Sequence, residues 1–385
     1  MCRAIHQSIL TIAVLFFACL ALAACSSDGL VEPDRPQATA SGSGEVSVSG
    51  RLTAGEWRDL DNWSFWLELN DGLFGVEDLE EHWGFYTEGR RTVSVVDAEG
   101  LPVVDASVAL LDSSEEILWE ARTDSRGEAE LFPSLFGSGR EGAFVAVNAG
   151  GLRRVEPVES GAGQVQVVSV EAAAPPVDVV DVMFVIDTTG SMGDELGYLQ
   201  VELAGIISSV RDEHDLLVRS SVNFYRDEGE PYVVRSNAFS DNLEDAVEAL
   251  RGESAAGGGD DEEALDLALE DAIFGHEWSP SARSRVLFLL LDAPPRHDIE
   301  ILERIHRVAA EAARLGVRII PIGASGTDQR AEFLLRFLDV STGGTYVFLT
   351  GEGDTGQSHR VPSVGAHEVE PLNELLKRLL SEGLR

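Results

Sequence analysis

The chain has 385 residues, 44% of them hydrophobic, which is more than one domain usually holds and enough for two or three packed cores. Its 67 acidic residues against 29 basic ones give a formal net charge of −38, which excludes nucleic acid as a partner because phosphates would be repelled. That acidity reads as solubility rather than as an acid-specific role.

Residues 1–24 start with a thin positive charge at Arg3 and run almost wholly apolar from Ile9 to Leu22, too short a run for a membrane span. The run closes on Leu22-Ala23-Ala24-Cys25. This tetrapeptide resembles the lipobox of bacterial lipoproteins. The resemblance implies a lipoprotein signal peptide over 1–24, lipidation of Cys25, and a cell-envelope location. Ser26 stands where Asp would signal inner-membrane retention, so in a Gram-negative cell the outer membrane is implied. An ordinary signal peptide cut near Ala24 is the alternative, and it would leave a lone exposed thiol. Cys2, Cys19 and Cys25 are the only cysteines, so the mature body has neither a disulfide framework nor a Cys-ligated zinc site. Residues 25–50, rich in Ser, Gly, Pro and Ala, read as a flexible tether.

Residues 51–90 hold four of the six tryptophans, Trp57, Trp63, Trp66 and Trp83. A carbohydrate-binding face is one reading of such density, and packing against the following domain is the preferred one. Residues 91–174 alternate in the strand manner, with turns at 97–100 and 123–127, and predict a small all-β sandwich. The order of strand, Asp97-x-x-Gly100, Pro102-Val103 and Thr123-Asp124-x-x-Gly127 resembles the carboxypeptidase regulatory-like, transthyretin-like module, an accessory domain without catalytic residues.

Pro175-Pro176 marks a boundary, and the last domain is expected over 177–385. Strands are predicted at 179–187, 217–225, 232–239, 285–291, 317–322 and 344–349. Helices are predicted at 192–212, 241–251, 261–274, 298–315, 328–340 and 369–381. Such alternation predicts an α/β, doubly wound, mainly parallel sheet with helices on both faces.

Within it, Met183-Phe-Val-Ile-Asp187-Thr-Thr189-Gly-Ser191 runs from an apolar strand into a hydroxylic loop. Asp187, Thr189 and Ser191 stand at alternate positions, and a loop can turn their oxygens to one point that suits a hard cation such as Mg²⁺. The alternative is that Thr189 or Ser191 merely caps the next helix. Gly257-Gly258-Gly259-Asp260 precedes an apolar-periodic helix, and Val286–Leu291 is an apolar strand ending in Asp292. Three oxygen-bearing loops at the carboxyl ends of parallel strands define a binding crevice. The pattern resembles the metal-ion-dependent adhesion site (MIDAS) of von Willebrand factor A domains, with Thr189 in place of Ser and Asp260 where Thr is usual. Tyr225-Arg226-Asp227, Asp292-Ala-Pro-Pro295 and Thr342-Gly-Gly-Thr345 extend the resemblance to a bacterial branch of that family. It implies a Mg²⁺ site (or Ca²⁺ or Mn²⁺) of Asp187, Thr189, Ser191, Asp260 and Asp292 that binds an acidic side chain of a protein partner. From the residues themselves, Arg226 and Asp227 read as a loop brace.

Enzyme readings fit less well. Thr189-Gly190-Ser191-Met192-Gly193 lacks the first glycine of a nucleophile elbow. His297-x-x-Glu300 and His367-x-x-Glu370 could suggest a metallopeptidase, but neither has a third ligand in view. The sequence therefore predicts a non-enzymatic binding lipoprotein. Its rival is a structural envelope component whose metal only braces the fold.

Overall fold

The computed structural model describes residues 52–70, 79–137, 139–159, 165–171, 177–258, 262–324, 326–350 and 361–384. The expected signal peptide, Cys25 and the tether lie outside the described residues, as does Asp260.

The tryptophan-rich segment forms β1 (Thr53–Trp57), α1 (Trp63–Asn70) and α2 (Leu79–Trp83). Seven short strands follow: β2 (Arg91–Val96), β3 (Ser107–Leu111), β4 (Ile117–Arg122), β5 (Glu128–Leu131), β6 (Phe144–Ala149), β7 (Leu152–Pro157) and β8 (Gln166–Ser169). They pair as two sheets, β5-β2-β8 and β4-β3-β6-β7, antiparallel throughout except for β2 beside β8. Alternate residues point inward, so Val93 and Val95, Val108 and Leu110, and Val145 and Val147 share one apolar cluster. Before β3 the chain turns at Asp105, whose φ of 61° only a few residue types tolerate. β7 carries an Arg-Arg-Val-Glu stretch that buries almost nothing.

The remaining elements alternate: β9 (Val177–Asp187), α3 (Gly193–His214), β10 (Leu217–Tyr225), β11 (Val234–Arg235), α4 (Leu243–Arg251), α5 (Leu265–Phe274) and β12 (Ala282–Leu291). Then come α6 (Ile299–Leu315), β13 (Val317–Gly323), α7 (Gln329–Thr342), β14 (Tyr346–Thr350), β15 (Val369–Pro371) and α8 (Leu372–Glu382). Among the described residues the large sheet runs β11-β10-β9-β12-β13-β14-β1-β15, with β10, β9, β12, β13 and β14 parallel. β9 is apolar on both sides because both are covered. Val182, Phe184 and Ile186 join the cluster of α3, α4 and α8, and Met183 and Val185 join that of α5, α6 and α7. Asp298 caps α6 by accepting from the N–H groups of Glu300 and Ile301, and Gly316 ends it in the left-handed region.

Several expectations need correcting. The strand foreseen over 232–239 is only β11, the helix foreseen from 261 starts at Leu265, and the helix foreseen from 369 starts at Leu372, because Val369–Pro371 form β15. The larger difference is β1, which lies between β14 and β15 in the large sheet and not on the small ones. Gly55 makes Thr-Ala-Gly-Glu-Trp look like a turn, yet a Cβ there would stand 2.5 Å from the Phe348 ring, so the strand needs the glycine. Downstream of β1, Trp66 stacks on Phe333 of α7 and Asp59 takes a bidentate bond from the buried Arg336. The same segment also meets the small sheets, where Arg90 pairs with Glu130 at 2.7 Å.

Candidate functional site

Asp187 is the last residue of β9, and Asp292 follows the end of the adjacent β12, so parallel pairing brings both to one edge of the sheet. Thr189 donates both its backbone N–H and its hydroxyl to Asp187 Oδ1, each at 2.8 Å. Its hydroxyl lies 3.4 Å from that of Ser191, which in turn bonds the Asp292 carboxylate. Four predicted oxygen-bearing residues, Asp187, Thr189, Ser191 and Asp292, thus form one connected cluster. Asp260 falls outside the described residues.

The second loop is stitched to the first. Gly190 N–H donates to Gly257 O, and Ala256 N–H to Thr188 O. Gly257 and Gly258 both have φ near +80°, which lets that backbone pass close to Thr189. Glu263 N–H donates to Pro294 O, which ties the second loop to the third. Arg226 is buried beneath, bonding Thr188 Oγ1, Glu253 Oε1 and Ser254 O, and Asp227 pairs with Arg296 of the third loop at 2.7 Å. Both residues brace loops.

Two further buried groups lie at this edge, Tyr225 and Glu263. Tyr225 ends β10 directly opposite Asp187, and its hydroxyl is buried with no hydrogen-bond partner. Burial, with Asp187, Glu263 and Asp292 nearby, holds its phenol well above the usual range. Glu263 is buried beside it.

The electrostatics favour a cation. Burial pushes the Asp187 carboxyl up to about 7, opposed by the Thr189 N–H and reinforced by Asp292, with the Thr189 hydroxyl and Arg226 pulling back. Asp187 Oδ2 is buried and has no hydrogen-bond partner among the described residues. Asp292 is likewise raised by burial, with Ser191 opposing. An orphaned carboxylate oxygen beside two hydroxyls, free of nitrogen and sulfur, is a donor set that fits a hard divalent ion. Among the described residues no three Asp, Glu, His or Cys side chains gather as a metal site.

The peptidase-like pairs do not assemble. His297 Nε2 donates to His82 O at 2.6 Å and its ring stacks on His82. His367 Nδ1 donates to Gly365 O, while Glu370 pairs with Arg378.

A family model for the von Willebrand factor type A domain matches residues 181–355, which run from within β9 to beyond β14 and include all three loops. Residues 181–355 are a von Willebrand A domain. Domains of this kind commonly mediate protein–protein interaction. The chain is also 29% identical over 119 residues to an ariadne-like RING finger protein of Acanthamoeba polyphaga mimivirus, over 31% of this chain and 11% of that one. The shared stretch is a small part of that relative. The sheet itself extends past the matched residues, because β1 and β15 add to it beside β14. No helix among the described residues is long and apolar enough to cross a membrane.

Proposed function

We propose that the protein is a non-enzymatic cell-envelope lipoprotein whose von Willebrand A domain captures an acidic group of a protein partner through a divalent cation. The observation that carries this reading is Asp187, a fully buried carboxylate at the sheet edge where loops converge, with one oxygen bonded by Thr189 and the other unpartnered among the described residues. A buried carboxylate in that state takes either a proton or a cation. Thr189 and Ser191 would offer hydroxyl oxygens directly, and Asp187 and Asp292 would act directly or through water, with Asp260 as a further acidic ligand. Bound Mg²⁺ keeps water-filled positions, and one of these can exchange for a partner's carboxylate. The chain's −38 charge repels such a partner at long range, so the contact is short-ranged and metal-bridged.

The two small sheets fit the regulatory-like β-sandwich as an accessory module. Cys25 would carry the lipid that holds the protein at the outer membrane, and no nucleic acid is involved. The test is partner capture from native membranes by the full chain, with and without EDTA. Capture that EDTA abolishes while the protein stays folded supports the reading. Undiminished capture removes the metal from the mechanism, and unfolding in EDTA favours a structural metal.

A further inference from the structure

The end of the large sheet opposite the acidic loops is basic. Arg283 and Arg285 of β12, Arg318 of β13, Arg58 after β1, Arg122 of β4 and Arg126 before β5 line a cavity of about 40 Å³. It adjoins a groove of about 320 Å³ that shares Arg58, Arg126 and Arg318 with it. In a chain with 67 acids and 29 bases, six arginines around one cavity call for a reason.

Ion pairs supply it for only some of them. Arg285 and Arg122 share Asp105 at 2.9 and 3.5 Å, Arg126 holds Asp124 and Glu128, and Arg283 reaches Asp178 at 3.4 Å. Glu130, the remaining acid on the wall, is held by Arg90. Arg318 pairs with no carboxylate among the described residues and donates only to Ser284 Oγ, at 2.6 Å. Burial, partly offset by Asp124, and the like charges of Arg58 and Arg126 make its protonated form less favourable than usual. Arg58 has only the exposed Asp61, at 3.5 Å. Deeper in, the Arg285 side chain is 3% exposed and its Nη2 has no partner among the described residues, where Arg283 Nε is also buried without one. Water could satisfy these donors but would leave the positive charge uncompensated.

We propose that this cavity binds a phosphate-type oxyanion, held by Arg318 and Arg58 and by the unused donors of Arg285 and Arg283. Guanidinium forks match the paired oxygens of such an anion. The cavity of about 40 Å³ exceeds the roughly 10–15 Å³ that one water needs, so it has room for a small anion. The adjoining groove has Val286, Ile320 and Leu379 on its wall, an apolar surface that would receive the body of an organic phosphate. The anion would join three parts of the chain, the small sheets at Arg126, the β1 segment at Arg58 and the large sheet at Arg318.

The test titrates the full chain with inorganic phosphate and with phenyl phosphate in EDTA, at ionic strength matched by chloride, following heat and thermal unfolding. Saturable binding and a phosphate-specific rise in Tm are expected. Arg318→Gln should weaken binding at least tenfold while leaving the phosphate-free protein as stable or more so. Tighter binding of phenyl phosphate points to an organic phosphate, and equal binding to the free ion. Absence of a phosphate effect beyond chloride overturns the proposal, as does unchanged affinity in Arg318→Gln. Should that variant not fold, Arg58→Gln decides on the same criterion.

Discussion

The Asp187 carboxyl keeps its proton up to about pH 7 in the folded chain, while the ordinary value for an unfolded one is 3.8. Between those values the metal-free folded state binds more protons than the unfolded state. Stability therefore falls as pH rises across that window and levels off above it, by a few kcal/mol at most. Asp187→Asn should lack this decline, be more stable than the metal-free wild type at pH 7.5, and lose Mg²⁺ binding. The loss should be at least the roughly 10–100-fold typical of removing an outer-shell partner. Denaturant melts of both proteins at pH 5 and 7.5, with and without Mg²⁺, check the sign, and identical pH profiles would refute it. The oxygens of Asp187, Thr189, Ser191 and Asp292 were legible because a strand end fixes where the next few residues go. Tyr225 and Glu263 were not, because their place at this edge depends on register and burial, which spacing along the chain does not encode. Ser191→Ala makes a second prediction: it frees Asp292 of its hydroxyl donor and should raise that carboxyl further. Nuclear magnetic resonance titration of the Asp292 carboxyl reads this out.

At the scale of elements, α7 shows what sequence period reveals and what it hides. Its boundaries follow from Asp328, which caps it by accepting from Ala331 N–H, and from Gly343 in the left-handed region. Its burial on nearly every side does not follow, since Glu332, Arg336 and Asp339 read as a solvent face and are all buried. The reason lies far away in the chain. Asp59 follows β1 and clamps Arg336 through two bonds of 2.8 and 2.6 Å, and Arg336 also reaches Glu332 and Ser363 O. Arg336→Met should destabilise the protein by roughly 3–5 kcal/mol, because it leaves the buried Asp59 carboxylate without its cation. Chemical denaturation would measure this, and Asp59→Asn together with Arg336→Met should recover part of the loss. The alternation from β9 to β14 was readable because each parallel strand is covered on both faces and so stays apolar. β1 was not readable, because its glycine answers to the Phe348 ring and not to a turn.

At the scale of the molecule, the composition break at Pro175-Pro176 suggests a head that could stand alone, but the contacts argue otherwise. β1 supplies the strand between β14 and β15, so a chain starting at residue 177 would leave both with unpaired backbone at that position. It would also uncover Phe333 and Phe337 of α7, on which Trp66 packs, and strand Arg336 without Asp59. Trp83, whose indole N–H donates to Arg330 O, would be lost from the same face. Losing two buried tryptophans alone is expected to remove several kcal/mol, comparable with the whole stability of a typical domain. Protein from residue 177 onward should therefore be largely insoluble or lack a cooperative thermal transition. Protein from residue 52 onward should melt cooperatively. Circular dichroism melts of the two chains, expressed side by side, decide the matter. A soluble, cooperatively melting chain from residue 177 would mean that β1 decorates the large sheet and is not required by it.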